Sequence, residues 1–303
     1  MPTIHALHNL AKARDYRLCD TITVMIIAAI TVLGIILGSF VNALVWRLHE
    51  QSEMAGKKGK AAEQRRQELS ISKGRSMCPH CEHTLAAKDL VPVLSWVSLR
   101  GKCRYCKAPI SWQYPLVELL TGMLFIGSYL AWPMAFQGVW LMQFVVWLVC
   151  LVGFVALAVY DLRWFELPDK IVFPLIALAS ADALASAVWE RSFTVLWQSA
   201  VAAVLIFGLF WALYQASRGA WIGGGDVKLA IVLGLLVGTP LRACLVIFFA
   251  SLIGTIVSLP TLAKGKKGLT AHIPFGPYLL LATAIVVVYG ANIVSWYQSM
   301  LWA

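Results

Sequence analysis

Charged residues are scarce in this sequence. Asp, Glu, Lys and Arg make up 13% of the 303 residues, and only 15 residues are acidic, whereas soluble globular domains carry about 25% charged residues. Hydrophobic residues reach 60%, 13 residues are tryptophan, and the mean hydropathy is +0.75. The shortage of charge excludes an ordinary soluble domain and indicates a protein of the lipid bilayer.

A cleavable signal peptide is also missing. The first apolar run, Thr21 to Trp46, is too long for the apolar region of a signal peptide and lacks a small-residue cleavage site. We therefore predict that it is retained as the first membrane span. A span needs about 20 apolar residues, and further long runs lie at 114–132, 136–160, 171–189, 196–216, 241–262 and 274–297.

A shorter apolar run near 228–240 predicts an eighth span. It has only about 13 residues, so a re-entrant or buried helix is the alternative. The predicted fold is an all-α polytopic membrane protein with about eight transmembrane helices.

The basic residues are concentrated in one segment. Residues 47–113 hold 13 of the 25 Lys and Arg residues, and cytoplasmic loops carry such an excess. We predict that this segment is cytoplasmic and that loops 161–170, 217–227 and 263–272 share its side of the membrane. The predicted division is an N-terminal segment with the first span (1–46), a cytoplasmic loop domain (47–113) and a transmembrane domain (114–303). The net charge of +10 then records topology and contact with membrane lipids, and no nucleic acid is expected.

Two aspartates are predicted at the same membrane face. Asp226 ends the run Gly223-Gly224-Gly225-Asp226, where glycine allows another backbone to approach closely. Asp161 follows the third long apolar run, and Pro168 predicts that the helix has ended by then. Two neighbouring carboxyl groups share a proton, so one can activate water while the other polarises a peptide carbonyl.

Other interpretations of these acids stay open at this point. Asp161 and Asp226 are also explained as solvated residues at helix ends. Glu166 and Asp169 compete with Asp161 for a catalytic role, and Asp169 is also suited to capping the next helix.

Four cysteines form a second pattern in the basic segment. They lie in two Cys-x-x-Cys pairs that 21 residues separate: Cys78, Cys81, Cys103 and Cys106. This spacing is close to that of a structural zinc site with four thiolate ligands. A reducing cytoplasm disfavours the disulfide alternative, and His80 or His83 could replace one of the thiolates.

Several motifs, in this order, resemble those of one known family. The matching stretches, which cover roughly residues 38–280, are Gly38-Ser39-Phe40-Val41-Asn42, the two cysteine pairs, Leu99-Arg100-Gly101-Lys102, Tyr114-Pro115-Leu116-Val117-Glu118, Asp161 with Leu167-Pro168-Asp169, Gly223 to Lys228, and Ile273-Pro274-Phe275-Gly276-Pro277. The chain resembles the type IV prepilin peptidases, which are bacterial inner-membrane aspartic proteases of the Gly-x-Gly-Asp class.

The resemblance implies an activity and a location. Asp161 and Asp226 would be the catalytic pair of an endopeptidase in the inner membrane with its active site facing the cytoplasm. The substrates would be prepilins or pseudopilins, from which a short basic leader is removed at the cytoplasmic boundary, in the service of type IV pili or type II secretion.

The same resemblance implies a second activity. Family members with the cysteine-bearing loop also methylate the new N-terminus with S-adenosylmethionine, and Gly101, Lys102 and Glu118 are then the candidate residues for binding this methyl donor. The sequence has no Gly-rich nucleotide fingerprint that supports this independently. It also departs from the family pattern at Asp89-Leu90-Val91-Pro92 and in a long insertion at about 51–76.

Two rival functions follow from the same residues. A membrane transporter would use a broken Gly-rich helix and paired acids to carry protons or cations, with the acids near the middle of the bilayer. An inactive scaffold would assemble pilins through its basic loop.

Overall fold

The computed structural model describes residues 21–71, 74–262 and 274–301. The predicted loop at 263–272 and the start of the last matching motif, Ile273, lie outside these residues. Within the described ranges the secondary structure is helical apart from two isolated β-bridges. The helices are α1 (Thr21–Glu53), α2 (Lys60–Glu68), α3 (Leu94–Ser98), α4 (Gln113–Ala131), α5 (Gly138–Trp164), α6 (Asp169–Trp189), α7 (Phe193–Ser217), α8 (Gly224–Val237), α9 (Pro240–Leu262) and α10 (Gly276–Leu301), with a short 3-10 turn at Ala87–Asp89.

Seven of these helices are long and apolar enough to cross a membrane: α1, α4, α5, α6, α7, α9 and α10. They coincide with the seven long apolar runs, so the prediction of an all-α polytopic membrane protein is confirmed. Each apolar run forms a helix because, in hydrocarbon, only a helix satisfies all the backbone hydrogen bonds within one segment.

The eighth predicted helix, α8, is shorter than a membrane span, and its middle is buried. Its 14 residues extend about 21 Å, less than the roughly 30 Å of the hydrocarbon core. Leu229, Ala230, Val232 and Leu233 are fully buried. A residue in the left-handed conformation, Gly238, ends the helix. The chain therefore has seven candidate spans and one short internal helix among the residues described.

The chain divides into two compact units. Of the described residues, the first unit takes 21–43 and 74–130, and the second takes 44–71, 131–262 and 274–301. The boundary at Ala43 falls inside α1, which contributes residues to both units. The three-part division that the sequence suggests stays a prediction.

The first unit joins the cysteine-bearing loop to two helices. The side-chain amide of Asn42 in α1 donates to the Tyr114 carbonyl of α4 at 3.1 Å. Thr121, one of the buried polar residues of α4, satisfies its hydroxyl on the Val117 carbonyl of its own helix. Both polar side chains thus bond to backbone, as burial away from water requires.

The second unit is a helical bundle around α8. The helix packs against α6, α7, α9 and α10, and side chains from these elements are fully buried, including Val172, Ile206, Leu279 and Leu233. Because its neighbours surround α8, the N-terminus of this helix is fixed relative to the ends of α5 and α6.

Candidate active site and cysteine cluster

Asp161 lies in the last turn of α5. The helix ends at Trp164, and Phe165 adopts the left-handed conformation and donates its N–H to the Asp161 carbonyl at 2.9 Å. Pro168 then holds the chain extended before α6 begins at Asp169. The predicted position at a helix end is thus correct. The alternative of a solvated side chain is wrong, because Asp161 is 6% exposed.

Asp226 lies in the first turn of α8. Gly223 precedes this helix in an extended conformation, and the Asp226 N–H donates to its carbonyl at 3.1 Å. The N-terminus of a helix favours a negative charge because unpaired N–H groups face it. Asp226 Oδ1 is buried and has no hydrogen-bond partner among the described residues.

The two carboxyl groups meet beside Gly276, at the start of α10. A methyl group placed on Gly276 would lie 2.5 Å from Asp161 Oδ2 and 3.7 Å from Asp226 Oδ1. The Gly276 N–H also donates to the Asp161 carboxylate. Glycine is needed here because a Cβ would displace the Asp161 carboxyl group. The structure thus brings together the two aspartates that the sequence selected.

Two carboxyl groups beside one glycine, with Asp161 and Asp226 Oδ1 buried, favour one bound proton over two negative charges. Their protons come off as those of a pair, so one member is an acid while the other is a base. The unpartnered Asp226 Oδ1 marks a polar position where water or a substrate carbonyl would be favourable. The arrangement can deprotonate a water molecule and protonate a carbonyl oxygen in one step.

The other acids of this region have different roles. Glu166 is exposed. Asp169 accepts two hydrogen bonds from Lys228 Nζ, at 2.7 and 2.9 Å, and that ammonium group also lies 5.7 Å from the centre of the Phe173 ring. Lys228 therefore anchors the Asp169 carboxylate. Asp169 is the first residue of α6 and belongs to this ion pair rather than to the pair at Asp161.

Sequence reasoning missed one member of the site. In the sequence, Gly276 stands out only by its place in a matching motif, whereas in the structure its N–H donates to the Asp161 carboxylate and the position of its Cβ lies close to both carboxyl groups. The signal was present in Pro274-Phe275-Gly276-Pro277, because a glycine between two prolines in a motif that matches a family has a specific backbone role.

The four cysteines of the basic segment converge. The Sγ atoms of Cys78, Cys81, Cys103 and Cys106 lie within 4.8 Å of one another, and those of Cys78 and Cys106 are 3.9 Å apart. Four thiols at such distances fit tetrahedral coordination of one metal ion. Among the residues described, the cluster contains neither His80 nor His83, and the His83 ring instead packs on Tyr105 with 3.7 Å between centroids.

The two cysteine pairs share one backbone design. The first cysteine of each pair donates its N–H to a carbonyl five residues on: Cys78 to His83 at 3.0 Å and Cys103 to Ala108 at 2.8 Å. The residue four positions on, Glu82 or Lys107, has a positive φ and donates back to the cysteine carbonyl. Each turn therefore aims two thiols at the same point.

Backbone hydrogen bonds prepare Cys103 for metal binding. Burial raises the pKa of this thiol, but hydrogen bonds from the N–H groups of Cys106 and Tyr105, together with those to the Cys78 and Cys106 thiols, outweigh that effect and the pKa falls to about 7. A lower pKa favours the thiolate, which is the form that binds metal.

The stretch that departs from the family pattern reinforces the second cysteine turn. Asp89 Oδ1 accepts from Arg104 Nε at 2.6 Å, and Oδ2 accepts from the Tyr105 hydroxyl at 3.0 Å. Burial acts to raise the pKa of Asp89, but these hydrogen bonds prevail and hold it below its ordinary value. Asp89 thus ties the middle of the loop to the turn that carries Cys103 and Cys106.

The residues predicted to bind a methyl donor lie near this loop. Gly101 has a positive φ and packs against Trp96, so that a methyl group there would be 2.9 Å from Trp96 Cζ2. Lys102 is exposed, and its backbone forms an isolated β-bridge with Pro109. Glu118 is 5% exposed, and its Oε2 accepts the Val93 N–H at 2.7 Å. Gly101 and Glu118 thus contact other parts of the same unit, and their assignment to a methyl donor stays a prediction.

Comparison with known proteins gives two family models in succession. The bacterial peptidase A24 N-terminal domain matches residues 32–132, and the type IV leader peptidase family matches residues 146–259. The first match contains the four cysteines, and the second contains Asp161 and Asp226. No solved structure matches the chain.

Curated relatives match most of the chain. A prepilin leader peptidase/N-methyltransferase of Stutzerimonas stutzeri is 32% identical over 88% of this chain and 91% of its own length. A type 4 prepilin-like proteins leader peptide-processing enzyme of Escherichia coli O78:H11 is 37% identical over 83% of this chain and 89% of its own length. A prepilin leader peptidase/N-methyltransferase of Bacillus subtilis is 30% identical over 77% of this chain and 88% of its own length. With these identities over nearly full length, and with both domain models matched in order, the chain is a multi-pass membrane protein that belongs to the type IV leader peptidase family.

Proposed function

We propose that this protein is an aspartic endopeptidase that removes the leader of type IV prepilins or pseudopilins. The single observation that carries the proposal is the meeting of the Asp161 and Asp226 carboxyl groups beside Gly276. The names of the relatives support the substrate class. A proton or cation transporter is not favoured, because its acids belong near mid-bilayer and this pair lies at the end of α5 and the start of α8.

The proposed reaction uses one proton on the carboxyl pair. The ionised carboxylate takes a proton from water, whose oxygen attacks the scissile carbonyl carbon, and the protonated carboxyl group gives its proton to the carbonyl oxygen. Collapse of the tetrahedral intermediate breaks the C–N bond. The leaving amine takes a proton from one carboxyl group, and a hydroxyl group of the intermediate gives its proton to the other as the new carboxyl group forms. The pair ends with one proton, as it began.

The position of the pair suits a precursor with a basic leader and an apolar helix. The helix would lie in the bilayer, and the leader would remain on the cytoplasmic side. The 13 Lys and Arg residues at 47–113 support a cytoplasmic orientation of this face. Gly223, directly before α8, and Gly224, its first residue, have few atoms near the position of a Cβ, so a substrate backbone could approach Asp226 there.

Zinc is the metal proposed for the cysteine cluster. Cys78, Cys81, Cys103 and Cys106 would hold it, and four thiolates leave no position for a catalytic water, so its role would be structural. N-methylation of the new N-terminus with S-adenosylmethionine is also proposed, since the relatives from Stutzerimonas stutzeri and Bacillus subtilis are named N-methyltransferases.

A synthetic precursor tests both activities. Purified protein in mild detergent is incubated with a peptide that has a basic leader, a glycine before the cut and an apolar helix, with and without S-adenosylmethionine. Mass analysis of the product is expected to show the mature N-terminus, and one added methyl group only when the donor is present. Asp161→Asn and Asp226→Asn should each lower cleavage by about 10³-fold or more, as loss of one member of a catalytic unit does.

Glu166→Gln is the matched control, because Glu166 is an exposed acid in the segment that follows Asp161. It should cleave like the wild type. The proposal fails if either Asn variant, eluting as the folded wild type does, still cleaves at a rate close to that of the wild type.

A further inference from the structure

The cysteine-bearing loop carries an exposed apolar face. Leu94 and Val97 on α3 are 68% and 59% exposed, and Trp112 is 73% exposed. The Trp112 ring packs on Trp96 of α3 with 4.1 Å between centroids, so Trp112 lies beside the short helix that carries Leu94 and Val97. A contiguous apolar patch of this kind marks a contact with another molecule.

One hydrogen bond limits how deep this patch can lie below the membrane boundary. The Val93 N–H, directly before α3, donates to Glu118 Oε2 in α4 at 2.7 Å. The 19 residues of α4 extend about 28 Å, so nearly all of them are needed to cross a hydrocarbon core of about 30 Å. Gln113 must then lie at the membrane boundary. Glu118 follows five residues later, so its backbone lies about 7 Å inside that boundary. Because its side chain leans back toward the helix N-terminus, Val93 lies between this depth and the boundary.

The patch continues into a surface that faces lipid. Leu116, in the first turn of α4, is 64% exposed, and Met123, two turns further on, is 59% exposed. Trp112 directly precedes α4 and connects this surface to α3. Tryptophan favours the boundary between headgroups and acyl chains, and exposed cations at Arg100 and Lys102 suit anionic headgroups.

We propose that α3 and Trp112 anchor the cysteine-bearing loop in the cytoplasmic leaflet of the membrane. Leu94, Val97 and Trp112 contact acyl chains, and Arg100 and Lys102 lie among the headgroups. Val93, directly before α3, thus lies no deeper than about 7 Å, which is compatible with the 5–10 Å to which interfacial helices bury their apolar face. The loop is therefore held at the membrane surface by lipid as well as by Glu118.

Photocrosslinking tests which molecule covers the patch. Leu94 and Val97 are replaced, one at a time, by p-benzoylphenylalanine in the full chain, which is reconstituted in vesicles of phosphatidylethanolamine and phosphatidylglycerol. After irradiation, the intact mass of each protein is expected to rise by one phospholipid. Leu116 is the lipid-facing positive control, and exposed Lys88, which lies outside the patch, is the control that should gain no lipid.

The other occupants of the patch give different products. A crosslinked dimer from positions 94 and 97, or an adduct with added precursor peptide in place of lipid, would overturn the proposal. So would the absence of lipid adducts at both positions while Leu116 gives one, or equal lipid adducts at Lys88. Using two positions keeps the test valid if one substitution prevents folding, and only protein that elutes as a single species is analysed.

Discussion

The carboxyl pair and the cysteine cluster are assembled in opposite ways. Asp161 and Asp226 lie on different helices and meet only because α5, α8 and α10 pack together. The cysteines converge through two short turns with the same backbone hydrogen bonds. One site depends on long-range packing of apolar helices, and the other depends on local turns and on the chemistry of sulfur.

The two regions also differ in what surrounds the site. The helices next to Asp226 have fully buried side chains, including Val172, Leu229 and Leu233. In the described part of the loop, residues 74–112, only Cys78, Gly101 and Cys103 are buried. The loop thus has almost no apolar core, so a bound metal would supply the stability that a core supplies elsewhere.

The largest expected effect comes from a double substitution that removes the metal and unfolds the loop, while the helical bundle stays folded. Cys78→Ser combined with Cys106→Ser should lower the zinc content from about one ion per chain to none, because two of the four thiolates that hold the ion are lost. Without the metal, residues 74–112 should become sensitive to protease. Elemental analysis and limited proteolysis of the purified protein measure both changes.

Cys244→Ser is the control for this pair, since Cys244 is a free cysteine in α9 outside the cluster. It should keep its zinc. An unchanged zinc content in the double variant would show that the cluster is not the metal site.

A smaller effect is expected from one methyl group in the carboxyl site. Gly276→Ala places a Cβ 2.5 Å from Asp161 Oδ2, so the carboxyl group must move. A misplacement of about 1 Å can lower a rate by about 10²-fold, and we expect a loss of cleavage of that order with zinc content unchanged. The rate of precursor cleavage measures the loss.

Gly208→Ala is the matched substitution in the same unit, because a Cβ at Gly208 in α7 would have nothing within 4 Å. It should cleave precursor at the rate of the wild type. If Gly276→Ala does so too, Gly276 does not position Asp161.

The difference between local turns and long-range packing explains which features could be predicted from the sequence. The four-cysteine cluster was predictable because its geometry follows from the spacing within and between two short turns. The seven long spans were predictable because each depends only on its own apolar length. Both signals are local in the chain.

The features that the sequence could not supply are those that depend on packing. The apolar run at 228–240 does not reveal that the helix already begins at Gly224, which puts Asp226 in its first turn. Similarly, the approach of Gly276 to both carboxyl groups depends on how α5, α8 and α10 pack. The predicted partnership of Asp161 and Asp226 rested on a count of spans, which gives the membrane face but not a distance.

The Lys228–Asp169 ion pair is another contact that depends on packing. Breaking it is expected to have the smallest effect on cleavage. Gly225 packs closely on Leu167, and the ion pair beside this contact joins the start of α8 to the start of α6. Lys228→Asp and Asp169→Lys should each lower kcat for precursor cleavage by about fivefold or less, the range for a half-exposed pair. The effect should decline at high salt.

The charge-swapped double variant shows whether the ion pair itself positions Asp226 or whether the single substitutions merely disturb the fold. With both substitutions the ion pair forms again with its two charges exchanged. Most of the lost kcat should then return, while KM stays near the wild-type value. Swapping Arg65 and Glu68, an exposed ion pair in α2 at 3.2 Å, should leave kcat unchanged. If the double variant is as slow as the single variants at every salt concentration, the ion pair does not position Asp226, and the Gly225–Leu167 contact must hold the start of α8 without it.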